Sequence, residues 1–160
     1  MKGDPKMPQI DVTLPAGALK AEAQSQLLER LTKTLLKWEG VPENSPSVAF
    51  AWAYLHEVSY GQWAFGSKVA DNTQLPRYRV AIIVPEGVLD AEHKRGLVEE
   101  VTSTIVEIEG KEEGEGSSQL TGASRITCYI LEVPEGGYGV AGRVYQRQKQ
   151  TPLVLWSSLS

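Results

Sequence analysis

Few side chains in this 160-residue chain could do chemistry: it holds two histidines and one cysteine. His56 stands next to Glu57, and an imidazole with a carboxylate is an acid/base pair able to work near neutral pH. Consecutive residues of a strand point to opposite faces, however, so these two cannot act on one another. His93 falls at the edge of an apolar helical stripe, the place of a solvated side chain. Cys128 sits among Ile126, Tyr129 and Ile130, a strand-like run that predicts a buried, inert thiol. One cysteine excludes an intrachain disulfide, and so few His and Cys argue against a metal site. There is no Ser-His-Asp order and no phosphate-cradling loop. The glycine-rich segment 136–142 follows a strand end and opens no helix, so it fails the context test for a dinucleotide fingerprint.

The elements that must position any site are written twice. Residues 13–40 and 83–110 align without a gap at an offset of roughly 70, with about 11 of 28 positions identical. Pro15 and Pro85, Gly17 and Gly87, Leu19 and Leu89, and Glu39-Gly40 and Glu109-Gly110 coincide. The copies also end alike, Glu57-Val58 followed by residues 61–66 against Glu132-Val133 followed by residues 136–142. In each copy an alternating strand (9–14; 79–84) leads through a Pro-x-Gly turn into an amphipathic helix (20–39; 90–109). Apolar Leu27, Leu31 and Leu35, and Leu97, Val101 and Ile105, recur at helical spacing. A second strand follows, at 48–58 and 125–133, the first of these apolar on both faces.

These periods predict an α+β fold: tandem β-α-β repeats forming a four-stranded sheet with two helices on one face. Each crossover is expected to be right-handed with its strands parallel. The divisions expected are an extension at 1–7, a first repeat at 8–66, a linker at 67–77, a second repeat at 78–145 and a tail at 146–160, one compact domain in all. Segment 111–123 reads as a flexible acidic loop. A net charge of −4, with no basic stripe interleaved with aromatics, argues against nucleic acid. No apolar run is long enough for a membrane span and residues 1–15 lack a signal-like apolar region, so the expectation is a cytoplasmic protein. The uncovered, apolar sheet face calls for an oligomer.

Met7-Pro8-Gln9-Ile10, the Pro-x-Gly turn, the amphipathic helix, and a strand ending Glu-Val before a Gly-aromatic segment resemble the tautomerase superfamily. That group includes 4-oxalocrotonate tautomerase and fused, double-length relatives such as the cis-3-chloroacrylic acid dehalogenases. The likeness spans about residues 8–145, and its motifs gain specificity by occurring in order, twice. It implies a homotrimer, no metal or organic cofactor, and a proline at the mature N-terminus acting as general base. Only Pro8 matches that role, and its counterpart in the second copy is Tyr78. A secondary amine near the α-amino range of about 7.7–8.0 suits proton shuttling between carbon and oxygen. Behind Met1–Met7, Pro8 nitrogen is a tertiary amide without basicity; freed by methionine removal, it becomes a base.

The positions where such proteins carry a substrate-clamping arginine hold Ala18 and Val88 after the turns, and Trp52 and Thr127 in the second strands. Arg77, Arg79, Arg125 and Arg143 are the surrogates, Arg79 and Arg143 the preferred ones, because a guanidinium presents a planar fork to a carboxylate. Trp63 and Tyr138 stand where the resemblance implies an apolar wall around the proline, with Trp52 adding to it. The expected site is therefore Pro8 with Arg79 and Arg143 as catalytic residues, and Trp63, Tyr138 and Trp52 against the substrate. The expected function is cofactor-independent tautomerisation of a small 2-oxo acid or enol. The alternatives are a non-catalytic scaffold or ligand-binding protein with Pro8 blocked, and a dehalogenase or decarboxylase on the same scaffold.

Overall fold

The computed structural model describes residues 7–110 and 122–144. Most of the N-terminal extension (1–6), most of the acidic loop (111–121) and the C-terminal residues 145–160 lie outside the described residues. The first unit runs β1 (Gln9–Pro15), α1 (Ala21–Trp38) and β2 (Trp52–Val58), then a small hairpin, β3 (Ala64–Phe65) with β4 (Lys68–Val69). The second runs β5 (Tyr78–Pro85), α2 (Ala91–Glu109) and β6 (Ile126–Val133), then a hairpin of β7 (Gly139–Val140) and β8 (Arg143–Val144). The four long strands form one sheet in the order β2-β1-β5-β6. Strands within each unit are parallel; β1 and β5 meet antiparallel at the centre. The expected architecture is the observed one.

The alternation read in the sequence is what builds the core. Ile10, Val12 and Leu14 of β1 and Val80, Ile82 and Val84 of β5 point to one face, against Leu27, Leu31 and Leu35 of α1 and Leu97, Val101 and Ile105 of α2. Each of these twelve is essentially solvent-free. The helices start and stop by ordinary end chemistry. Asp90 accepts a hydrogen bond from His93 N–H at 2.8 Å, capping the α2 N-terminus. Gly110, with φ of +61°, takes the left-handed turn that ends α2. Where the helices cross, Gly96 leaves a notch for the Trp38 indole; a β-carbon there would stand 2.1 Å from the ring.

Two segments differ from the sequence reading. Residues 48–50, expected in the second strand, belong instead to a 3-10 turn (Pro46–Phe50), and β2 begins only at Trp52. Ser45 accepts from Ser47 N–H while Pro46 opens the turn, so local hydrogen bonding outcompetes the sheet there. Lys68 and Val69, expected in the linker, instead pair with Phe65 and Ala64.

The repeat extends to individual contacts. Ala16 N–H donates to Val58 and Glu86 N–H to Val133, both at 2.9 Å. Ala64 pairs with Val69 and Phe65 with Lys68, just as Gly139 pairs with Val144 and Val140 with Arg143. The two units are thus related by a pseudo-twofold between β1 and β5. The sheet face away from the helices displays Trp52 and Tyr54 of β2 and Tyr129 and Leu131 of β6, each between 42% and 55% exposed.

Candidate functional site

Because β1 and β5 run antiparallel, the sheet has two equivalent ends, and the registers decide which residues meet at each. One end gathers around Pro8. Pro8 is buried at the head of β1, and its carbonyl accepts a hydrogen bond from Trp52 N–H at 3.1 Å. The preceding Met7 is buried as well, 5% exposed. Gln9 lies opposite Trp52 on one side and Ile83 on the other, so Pro85 flanks the strand head. Val133 pairs with Pro85, which makes β6 finish at this same end and release its hairpin there. That hairpin holds Tyr138 and Arg143. Burial pushes the Tyr138 phenol above its ordinary range, so it stays neutral. Arg143 is exposed.

The other end gathers around Tyr78, the counterpart of Pro8. β2 finishes beside Pro15, so the first hairpin leaves here, bringing Trp63 and Phe65. Arg79 pairs with Thr13, five residues along β1 from Pro8, a separation of about 17 Å on a strand. These residues surround a cavity of about 360 Å³ with Arg77, Arg125 and Thr127 among its walls. Tyr60, Trp63 and Phe65 form a chain of rings, with centroids 6.4 and 5.6 Å apart. The Arg77 guanidinium lies 3.5 Å above the Phe65 ring, and Arg79 lies 5.7 Å from that of Tyr129.

Arg125 anchors this end. Its guanidinium grips both Glu109 oxygens, at 3.0 and 2.5 Å, and also donates to the Pro76 carbonyl. Side-chain exposures of 3% and 1% make this a buried ion pair rather than a surface one. Tyr78 is buried beside it, and burial together with the Glu109 carboxylate pushes its phenol far above its ordinary range. A phenol so held is no base at neutral pH.

The six expected site residues therefore divide. Pro8, Trp52, Tyr138 and Arg143 belong to one end of the sheet; Arg79 and Trp63 belong to the other. Within one chain the fold does not bring Arg79 or Trp63 to Pro8. Ala18 and Val88, at the turn positions lacking arginine, are half-buried against the core. Sequence reasoning passed over Phe65 and the Glu109 partnership of Arg125. The signal available was that Glu39 and Glu109 recur in both copies while Arg125 has no charged counterpart, a mismatch that only pairing partners make meaningful.

The remaining polar candidates serve the scaffold. Glu57 accepts from Gly17 N–H at 3.2 Å and from Gln24 at 2.9 Å, closing the first turn. Lys94, at 3.0 Å, holds Glu132 below the ordinary carboxylate range in the second. His56 faces Asp11 at 3.3 Å across the exposed sheet face, away from Glu57. His93 contacts Asp90 at the α2 cap. Among the described residues, no group of three or more His, Cys, Asp or Glu could hold a metal ion, and no helix is long and apolar enough to cross a membrane.

No family model and no curated protein matches this sequence. Solved structures do match. A protein named Pt0534, crystallised after inactivation by 2-oxo-3-pentynoate, is 22% identical, with a TM-score of 0.66 over 85% of this chain and 94% of its own. A fused 4-OT solved as an asymmetric trimer is 17% identical over the same shares, also at 0.66. A member of the cis-3-chloroacrylic acid dehalogenase family is 16% identical at 0.67, covering 94% of this chain and 97% of its own. The chain has the fold of the tautomerase superfamily.

Proposed function

We propose that this protein is a cofactor-independent tautomerase acting on a small 2-oxo acid or its enol, with Pro8 as the base once it is the mature N-terminus. The observation supporting this most is the asymmetry between two otherwise matched ends: one has a proline at the strand head, the other a buried tyrosine. A free Pro8 amine would take a proton from the carbon beside the substrate carbonyl and return it to oxygen, or the reverse. An α-amino group, ordinarily at about 7.7–8.0, suits a general base working near neutral pH. Arg143, on the hairpin leaving the same end, would hold the carboxylate or the developing oxyanion. Tyr138 and Trp52 would supply the apolar wall, raising the strength of those charge interactions. Arg79 and Trp63 reach a Pro8 site only if a neighbouring chain supplies them.

The exposed aromatic and aliphatic face of β2 and β6 favours assembly, and the trimeric fused 4-OT supports a homotrimer here. Light scattering should return three chains per particle. A monomer in solution would remove that part of the reading.

One observation favours a second reading, a non-catalytic scaffold. With Met7 attached and buried, Pro8 nitrogen is an amide and the space beside it is filled. Intact mass of protein isolated from its own source separates the two. A mass beginning at Pro8 should accompany ketonisation of phenylenolpyruvate, with Pro8→Ala lowering the rate by about 10²- to 10⁴-fold. Treatment with 2-oxo-3-pentynoate should then leave its adduct on the peptide that starts at Pro8. A mass retaining Met7, with no turnover, would establish the scaffold reading.

A further inference from the structure

The cavity at the Tyr78 end has the makings of a binding site without a base. We infer that it binds a small aryl or alkenyl monocarboxylate, independently of any chemistry at Pro8. Among the described residues its positive charge exceeds its negative. Arg125 is matched by Glu109, but Arg77 and Arg79 have no carboxylate partner among the described residues. Among the described residues, no acidic side chain lines the cavity. Arg77 and Arg79 both line the cavity and Arg125 repels Arg77, so a carboxylate bound there offsets that repulsion while filling a planar donor fork. Burial and the nearby Arg125 charge already push Arg77 below its ordinary range, the direction expected of a cation short of a counter-ion.

The rest of the cavity selects the ligand's body. Trp63 and Phe65 make one wall flat and aromatic, and the stacking of Arg77 on Phe65 places the charge at the edge of that wall. The Thr13 hydroxyl adds a neutral polar group at the strand end, while Thr127, whose hydroxyl donates to the Tyr78 carbonyl at 3.4 Å, has acceptor capacity left. At about 360 Å³ the space lies at the lower end of ligand pockets, right for a single ring or a short conjugated chain and too small for a nucleotide. Tyr78 stands where the proline stands in the other half, and its buried phenol cannot take a proton at neutral pH. Such a ligand would be bound and released unchanged. The same ligand class is proposed for the Pro8 end, but this inference does not depend on turnover there.

Benzoate is a suitable probe because it has the ring and the carboxylate but cannot enolise. Titration of the full chain, followed by calorimetry and by the ring-proton NMR signals of benzoate, should show saturable binding in the millimolar range or tighter. Arg77→Ala and Arg79→Ala should each weaken it by about tenfold or more, the loss of one charge-assisted hydrogen-bonding partner. Arg95→Ala, which removes an exposed helical arginine, and Pro8→Ala should leave the affinity unchanged. Circular dichroism confirms that each variant is folded. The inference is overturned if wild-type protein shows no saturable binding, if Arg77→Ala and Arg79→Ala bind like wild type, or if Pro8→Ala abolishes binding. The last result would place benzoate at the other end and leave the tautomerase reading standing. Saturable benzoate binding without any ketonisation activity would do the opposite.

Discussion

Arg125→Met should be among the most damaging single substitutions in this chain, although Arg125 looks in sequence like any strand-edge arginine. The pair it forms with Glu109 is almost solvent-free, at 3% and 1% side-chain exposure, with both carboxylate oxygens engaged. Removing one member leaves a buried carboxylate without its counter-charge, at a cost of about 3–5 kcal/mol. The Pro76 carbonyl loses its donor as well, adding about 1 kcal/mol. For a chain of this length 3–5 kcal/mol corresponds to a melting point lowered by roughly 6–20 °C. The double variant Glu109→Leu/Arg125→Met removes both charges, so only the Pro76 term and imperfect packing should remain, about 1–2 kcal/mol. Urea unfolding of wild type, both single variants and the double variant, at one protein concentration, gives the comparison directly. A single-variant loss below about 1 kcal/mol, or a double variant as unstable as the sum of the singles, would refute the buried-pair reasoning.

Three further outcomes follow from individual contacts. Gly96→Ala places a β-carbon 2.1 Å from the Trp38 ring, so about 1–3 kcal/mol of overpacking should exceed the roughly 1 kcal/mol gained in helix propensity; a Trp38→Leu background should restore stability in urea melts. The His93 N–H and side chain hold the Asp90 carboxyl below its ordinary value, so its contribution is complete above the unfolded carboxylate range and lost as pH falls through the lowered folded value. Asp90→Ala should therefore trail wild type at pH 7 and converge with it in strong acid; a gap independent of pH would sink this account. Burial pushes the Cys128 thiol above its ordinary range, so Ellman's reagent should react slowly with native protein at pH 7 and at once in urea.

Much of this architecture was legible because it depends on periods and on end signals. Alternating Ile10, Val12 and Leu14 and the leucines of α1 at helical spacing needed only the geometry of strand and helix. The repeat doubled each of those signals, and Gly40 and Gly110 marked both helix ends with left-handed turns. The second strand was placed too early because Ser45-Pro46 acts through a local hydrogen bond, while the apolar run beyond it looks continuous. The hairpins were missed because two-residue strands are too short for any period to show.

What the sequence determined, then, was the pair of β-α-β units, the core they share and the uniqueness of Pro8 among the two strand heads. What only the tertiary structure decided was which site residues keep company. Pairing β1 antiparallel to β5 sends the two halves' hairpins to opposite ends of one sheet. That single choice of strand direction parts Arg79 and Trp63 from Pro8 and brings Trp63 to the Tyr78 end. Strand direction is set by long-range hydrogen bonding and burial between distant segments, and residue types and spacings within each segment are the same whichever way its partner runs.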